Sequence, residues 1–125
     1  MKPKSPITKL TIDRKRWLRG TGSGLLLDRS NNKMCCLGFY SIACGLPKKL
    51  ITNHGCPADI EMIYDMPLPE PMQWLRSMDF GRVKSSQLAD KLMRANDKIS
   101  LDPEVREERI TRYFAKKGIE VEFIN

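Results

Sequence analysis

A stretch of twelve residues without a charge constrains this chain more than any other feature. Residues 34–45 read Met-Cys-Cys-Leu-Gly-Phe-Tyr-Ser-Ile-Ala-Cys-Gly, in a protein of which 30% of the residues are charged. Apolar residues would surround a helix here on all sides, which is typical of a helix buried in the core. We therefore predict a central buried helix over 34–45, with Gly45 at its end. Gly38 costs this helix about 1 kcal/mol relative to alanine, and we expect it to allow close approach of another backbone.

Three of the four cysteines, Cys35, Cys36 and Cys44, lie in this stretch. The first six residues, Met-Lys-Pro-Lys-Ser-Pro, are not followed by the apolar segment of a secretory signal. We therefore expect a cytoplasmic location, where thiols stay reduced. The cysteines are then predicted to be buried, unreactive thiols rather than a disulfide framework.

A zinc site and a catalytic thiol are two other interpretations of these cysteines. Cys36 and Cys44 would lie about 12 Å apart along a helix, too far to share a metal ion whose ligands lie within about 2.3 Å. His54 and Cys56 supply only two ligands, so we predict no metal and no cofactor. A helix N-terminus lowers the pKa of a thiol such as Cys35 or Cys36, and the lone His54 is a candidate base. A cysteine hydrolase is therefore a less favoured alternative.

The remaining periodicity predicts an α+β fold. Apolar patterns predict strands over 7–12, 24–28 and 119–123. Ser86 and Asp102 are predicted N-caps of two helices that end near residues 95 and 117. The predicted architecture is a small, mostly antiparallel sheet of about three strands, packed against four or five helices.

The chain length predicts one domain over residues 1–125. Residues 1–6 are predicted to be a flexible basic tail. Residues 64–72 are predicted to be a proline-rich loop, because proline disfavours a helix interior. No apolar run reaches the roughly 20 residues of a membrane-spanning helix, and we expect no membrane partner.

The net charge of +7 comes entirely from the first quarter of the chain. Residues 1–33 contain nine basic and two acidic side chains, whereas the other 92 residues contain 13 of each. Such an asymmetry concerns partners rather than fold. We expect an anionic partner: nucleic acid, a nucleotide, or an acidic face of a host or defence protein.

A basic, glycine-rich segment over 14–24 is the predicted binding site. Glycine-rich loops can turn several backbone N–H groups toward a phosphate, and arginine adds bidentate contacts. An exposed tryptophan here would stack on a base. The other interpretation is a surface turn beside a solvated basic face, with the tryptophan in the core, since the segment has neither a Walker loop nor a dinucleotide fingerprint. The candidate site residues are Arg14, Lys15, Arg16, Trp17, Arg19, Gly20, Thr21, Gly22 and Ser23.

Short motifs along the chain carry a resemblance to a known group of proteins. They read Trp-Leu-Arg-Gly at 17–20, Leu-Leu-Leu-Asp at 25–28, Lys-Met-Cys-Cys-Leu-Gly-Phe at 33–39, Ala-Cys-Gly at 43–45, Leu-Ala at 88–89, Asn-Asp at 96–97, Arg-Glu-Glu-Arg-Ile at 106–110 and Gly-Ile-Glu-Val-Glu-Phe at 118–123. With these motifs the chain resembles small, mostly uncharacterised phage and prophage proteins that carry a Cys-Cys-Leu-Gly core helix. The resemblance leaves out residues 46–84 and brings no assigned catalytic residue. It implies a shared scaffold and an origin as a phage-encoded accessory protein in the host-cell cytoplasm.

The charge asymmetry and the absence of a catalytic set predict a non-enzymatic binding protein, and the resemblance implies that it is a phage-encoded accessory protein for counter-defence or host takeover. It would bind an anionic partner, either a host or defence protein or a nucleotide, through the basic glycine-rich loop. A DNA- or RNA-binding module is the alternative, and the cysteine hydrolase is a third. A homo-oligomer remains open.

Overall fold

A computed structural model describes residues 7–125, so the basic tail predicted at 1–6 lies outside the described residues. Helices and short strands are both present, which confirms the α+β class. Two 3₁₀ helices, Arg14–Arg16 and Glu70–Leu75, accompany them. The strands are β1 (Lys9–Asp13), β2 (Arg76–Asp79), β3 (Arg82–Ser85) and β4 (Glu120–Ile124), and the α-helices are α1 (Cys36–Ala43), α2 (Lys48–Ile51), α3 (Pro57–Tyr64), α4 (Gln87–Asp97) and α5 (Pro103–Ala115).

The strands of residues 7–125 form two separate pairs rather than one three-stranded sheet. β1 and β4 are parallel, with Leu10 opposite Val121 and Ile12 opposite Phe123. β2 and β3 form an antiparallel hairpin in a region where the sequence indicated no strand. The small sheet is therefore half antiparallel and half parallel, and the predicted strands at 7–12 and 119–123 pair in parallel, because alternation in β1 and β4 does not encode the direction of their pairing.

The strand predicted over 24–28 is wrong as a regular element, although its burial is right. Leu26 and Leu27 are buried, but the segment pairs through isolated bridges, such as that between Leu27 and Thr52. The backbone N–H of Leu26 donates to the carbonyl of His54 at 2.8 Å. The segment is therefore an extended core segment held by single contacts.

The central buried helix is confirmed in α1, which is shorter than the predicted 34–45. Cys36, Leu37 and Tyr40 of this helix are at most 1% exposed. Gly38 passes so close to the neighbouring segment that a Cβ atom at this position would overlap the carbonyl oxygen of Leu26. The predicted close approach of another backbone is therefore present.

Both predicted helices of the C-terminal third form, with the predicted caps. The Ser86 hydroxyl accepts the N–H of Ala89 at 3.1 Å, and the Asp102 carboxylate accepts the N–H of Glu104 at 3.1 Å. These bonds satisfy N–H groups that have no partner within the helix. The proline-rich loop predicted at 64–72 is shorter than expected, because the 3₁₀ helix from Glu70 begins inside it.

Glu61 joins α3 to the β2–β3 hairpin. Its carboxylate accepts hydrogen bonds from the Arg76 guanidinium at 2.9 and 3.2 Å and from the Leu68 backbone N–H at 3.1 Å. Burial acts to raise the pKa of Glu61, but the hydrogen bonds from Arg76 and Leu68 outweigh it and leave the pKa lowered. The ionised carboxylate therefore holds the hairpin against α3.

Replacing Glu61 by glutamine should destabilise the protein by about 2 kcal/mol at neutral pH, because hydrogen bonds to a charged group are lost. A carboxyl group with a lowered pKa adds stability above its unfolded pKa of about 4.3, and that stability is lost as the pH falls through the folded pKa. Urea unfolding should therefore show the two proteins converging below about pH 4. A difference that stays constant down to about pH 3 would contradict this role of the carboxylate.

Replacing Gly38 by alanine should destabilise the protein by about 3 kcal/mol, because the overlap with the Leu26 carbonyl outweighs the better helix propensity of alanine. The matched control is Gly55→Ala, where the nearest heavy atom to a new Cβ, on Asp59, lies 3.9 Å away. The control should change the free energy of unfolding by less than about 0.5 kcal/mol. Equal effects of the two changes in thermal unfolding would rule out the close approach.

Candidate anion-binding surface

Trp17 lies in the core and not on the binding surface. Trp17 is 3% exposed, and its ring packs against the ring of Phe123 with 5.2 Å between the two ring centroids. Its indole N–H donates to the side-chain oxygen of Asn96 at 2.7 Å. Stacking of Trp17 on a nucleic-acid base therefore does not fit its position, and the interpretation with Trp17 in the core does.

Asn96, near the end of α4, links the segment around Trp17 to the start of α1. Its fully buried side-chain oxygen accepts the Trp17 indole N–H and the backbone N–H of Cys36 at 2.9 Å. Its amide nitrogen donates to the Leu18 carbonyl at 2.8 Å and to the Asp97 carboxylate at 2.9 Å. All four hydrogen-bonding positions of the amide are used, so the segment around Trp17 has a defined position on α1 and α4.

The glycine-rich loop is bound to the C-terminal end of α4. The backbone N–H of Gly20 donates to the Asn96 carbonyl at 2.8 Å, and that of Gly22 donates to the Asp97 carbonyl at 2.7 Å. Both glycines have positive φ values, +66° and +86°, which glycine adopts at low cost. These two N–H groups satisfy carbonyls at a helix end and do not point toward a phosphate.

The tip of the loop is exposed beside a groove of mixed charge. The Thr21 hydroxyl at this tip donates to the Ser23 carbonyl at 2.8 Å. The groove is lined by Gly22, Asp90, Met93, Arg94, Asp97 and Lys98. Because two acidic side chains accompany two basic ones, the groove lacks the excess of positive charge that favours anions.

Arg106 of α5 is a buried cation that lies next to Gly20 and binds the end of α4. Its guanidinium, in a residue that is 5% exposed, donates to the carbonyls of Ala95 and Asn96 at 3.1 and 2.9 Å. Burial lowers the pKa of Arg106, and the nearby charge of Arg19 lowers it further. This cation therefore stabilises the end of α4 from the interior rather than contributing to the surface.

Two of the predicted cationic site residues are used within the protein. Arg14 forms a bidentate pair with the carboxylate of Glu107 at 2.7 and 2.8 Å, and the hydrogen bond to Glu107 raises the pKa of Arg14. The Arg19 guanidinium lies 4.5 Å from the centre of the Trp17 ring and donates to the Arg14 carbonyl at 3.0 Å. The positive charges of Arg14 and Arg19 are therefore engaged in contacts within the protein.

Pairing of two chain segments brings Arg16 and Lys33 side by side. Trp17 pairs with Met34 in a parallel bridge, and the Met34 N–H donates to the Arg16 carbonyl at 2.9 Å. Because Trp17 and Met34 are buried, their neighbours Arg16 and Lys33 project to the solvent side. The exposed cations of these two segments and of the turn before Lys33 have no ion-pair partner among residues 7–125. We call them the basic patch, which consists of Lys15, Arg16, Arg29 and Lys33.

Two acidic residues lie next to the basic patch in sequence, and each has local partners. The Asp13 carboxylate accepts the backbone N–H of Lys15 at 3.0 Å. The Asp28 carboxylate accepts the hydroxyl and the backbone N–H of Ser30 at 2.7 and 2.9 Å, and these two bonds lower the pKa of Asp28. Within residues 7–125, neither carboxylate forms an ion pair with the patch, so its cations remain available to another molecule.

Sequence reasoning included Lys15 and Arg16 in the candidate site but omitted Arg29 and Lys33. The local charge count was the signal that could have indicated them, since both contribute to the excess over 1–33. The place of Lys33 beside Arg16 depends on the Trp17–Met34 bridge, and Arg29 lies in the turn that pairs Asp28 with Lys33.

The two thiols at the start of α1 lack the exposure and the lowered pKa of a nucleophile. Cys35 and Cys36 are buried, and burial raises the pKa of Cys35 to about 12 and that of Cys36 well above its usual value. Both thiols are therefore protonated at neutral pH. His54, the candidate base, shares a hydrogen bond with the hydroxyl of Tyr64, at 3.1 Å.

Residues 7–125 contain neither a cluster of metal ligands nor a membrane-spanning helix. Within this range, no three His, Cys, Asp or Glu side chains converge as ligands of a metal ion would. No helix formed by these residues has both the length and the apolar character to cross a bilayer.

Comparison with known proteins does not assign this surface. No protein-family model matches the chain, and no curated protein or solved structure matches it. What the surface does must therefore follow from its own residues.

Replacing Asn96 by alanine should destabilise the protein by about 3 kcal/mol, because the buried N–H groups of Trp17 and Cys36 lose their acceptor. The matched control is Asn31→Ala, whose exposed side chain accepts only the Lys33 N–H at 3.0 Å. The control should cost less than about 1 kcal/mol in urea unfolding. A similar loss for both variants would argue against the Asn96 network as the support of the loop.

Proposed function

We propose that this protein is a non-enzymatic, phage-encoded accessory protein that binds an anionic partner through the basic patch. The observation that carries this proposal is the Trp17–Met34 bridge, which sets Arg16 beside Lys33 with no acidic partner for either among the described residues. Exposed cations of one sign attract an anionic partner and increase its association rate. The phage origin rests on the resemblance, and a role in counter-defence or host takeover follows from that origin.

The geometry favours an acidic protein face over a single nucleotide. A nucleotide site requires polar groups that converge in a concave pocket. Two of the loop N–H groups that could cradle its phosphate, those of Gly20 and Gly22, are bonded to α4 instead. Separate exposed side chains such as Lys15 and Arg16 are better suited to carboxylates distributed over a surface.

A DNA- or RNA-binding module is the second candidate, because exposed lysines and arginines also contact phosphates. The 3% exposure of Trp17 leaves this module without the predicted stacking platform. Binding of this kind would then depend on charge and vary little with nucleotide sequence. A cysteine hydrolase has less support, since burial raises the pKa of Cys35 to about 12.

A double change, Arg16→Ala with Lys33→Ala, should weaken binding to the preferred anionic probe by about tenfold at low salt. The two probes are poly-glutamate, which represents an acidic protein face, and a short duplex DNA, and fluorescence anisotropy gives both affinities. We expect tighter binding to poly-glutamate. Tighter binding to DNA, with a steep loss of affinity between about 50 and 200 mM salt, would favour the second candidate instead.

The matched control removes two exposed cations elsewhere, Lys49→Ala with Lys91→Ala, and should weaken binding less than twofold. Equal losses in the two double variants would mean that net charge alone binds the probe, against a defined patch. Absence of binding by the wild-type protein to both probes would overturn the proposal.

A further inference from the structure

A second surface, apolar rather than basic, lies at the β2–β3 hairpin and the nearby end of α3. Phe80 in the hairpin turn is 99% exposed, and Met62, Ile63 and Met78 are each more than half exposed. We call these four residues the hairpin surface. Single exposed apolar residues are common, but a group of this size on a small protein marks a contact with another molecule.

The position of Phe80 is costly for the isolated chain. Phe80 and Gly81 both have positive φ values, +51° and +77°, in the tight turn that joins the paired residues Asp79 and Arg82. This turn strongly prefers Asn or Gly at the first position, and a bulky side chain with positive φ is uncommon. An aromatic ring here is both strained and solvated, so its benefit must come from outside the folded monomer.

A groove next to Phe80 can receive a ring of this kind. It lies between the end of α3 and the hairpin and has a volume of about 550 Å³. Phe80 does not fill the groove of its own chain, since its side chain is almost fully exposed. The lining residues include the apolar Met62, Met66 and Val83, and the charged Asp65 and Arg82.

The charges of this region fit a second copy of the same chain. Asp65 and Arg82 have opposite signs, and neither has an ion-pair partner among residues 7–125. Two copies related by a two-fold axis could therefore pair Asp65 of one with Arg82 of the other. Residues 34–125, which include this whole region, have no net charge, so long-range repulsion between two copies is weaker here than between their basic N-terminal segments.

We propose that two copies of this chain associate through the hairpin surface, with Phe80 of each copy inserted into the groove of the other. A two-fold interface requires the inserted group and its acceptor on the same face. This requirement is met, because Gly81, the neighbour of Phe80, lines the groove. The exchange closes on itself and gives a dimer rather than a filament.

The test is the concentration dependence of the mass of the whole protein, by sedimentation equilibrium and native mass spectrometry, from about 1 to 200 μM. The wild-type protein should convert from monomer to dimer over this range. Phe80→Asp should raise the dimer dissociation constant at least about tenfold, because a buried aromatic anchor is replaced by a charge. Since Phe80 makes almost no contact within its own chain, unfolding should not explain the loss.

The matched control is Ile99→Asp, which adds the same charge at another exposed apolar residue, 71% exposed and next to Gly22 of the glycine-rich loop rather than in the hairpin groove. Ile99→Asp should leave the dimer dissociation constant unchanged within about twofold. A wild-type protein that stays monomeric over the whole range would overturn the proposal, as would equal effects of the two substitutions.

A photoreactive benzoylphenylalanine at position 80 then locates the contact. Cross-links to residues 62–66 or 83 of a second copy are expected. Cross-links to other parts of a second copy, or only to a different protein or a lipid, would overturn this arrangement.

Discussion

A single buried amide, that of Asn96, is the contact on which the N-terminal half of the molecule depends. It binds the indole of Trp17, the first N–H of α1 at Cys36 and the carbonyl of Leu18. Its backbone carbonyl accepts further bonds from Gly20 and the Arg106 guanidinium. A buried polar network stabilises a unique arrangement when every member is satisfied, and the described residues contain no buried side-chain N or O atom without a hydrogen-bond partner. The Asn96 network therefore positions the segment around Trp17, the glycine-rich loop and the start of α1.

This network joins residues that are widely spaced in sequence. Trp17 and Cys36 donate to the side-chain oxygen of Asn96, and Arg106 donates to its backbone carbonyl. Gly38 belongs to the same set, because its missing side chain lets α1 pass the carbonyl of Leu26. These residues therefore form a buried scaffold in this chain. The residues with exposed charge or exposed apolar groups lie beside it, and they are where different partners would be distinguished.

Two surfaces of different chemistry result from this scaffold. The basic patch carries unpaired cations close to the Trp17–Met34 bridge, whereas Phe80 and Met62 expose apolar groups on a part of the chain without net charge. The two proposed roles are compatible, since a dimer formed through the hairpin surface would carry two basic patches. Two linked sites raise the apparent affinity through effective concentration even when each contact is weak.

The sequence by itself determined the local elements: the buried helix α1, the caps at Ser86 and Asp102, and the charge excess before residue 34. These follow from periodicity and from hydrogen bonds within a few residues. Only the tertiary structure decided the parallel pairing of β1 with β4, the hairpin around Phe80, and the use of Gly20 and Gly22 to close α4 rather than to face a phosphate. The β1–β4 pairing and the bonds of Gly20 and Gly22 join backbone groups tens of residues apart, whereas the hairpin is local but has Phe80 where such a turn prefers Asn or Gly. A hydrogen-bonding group finds its partner by position in space, and that position is set by the packing of the whole core.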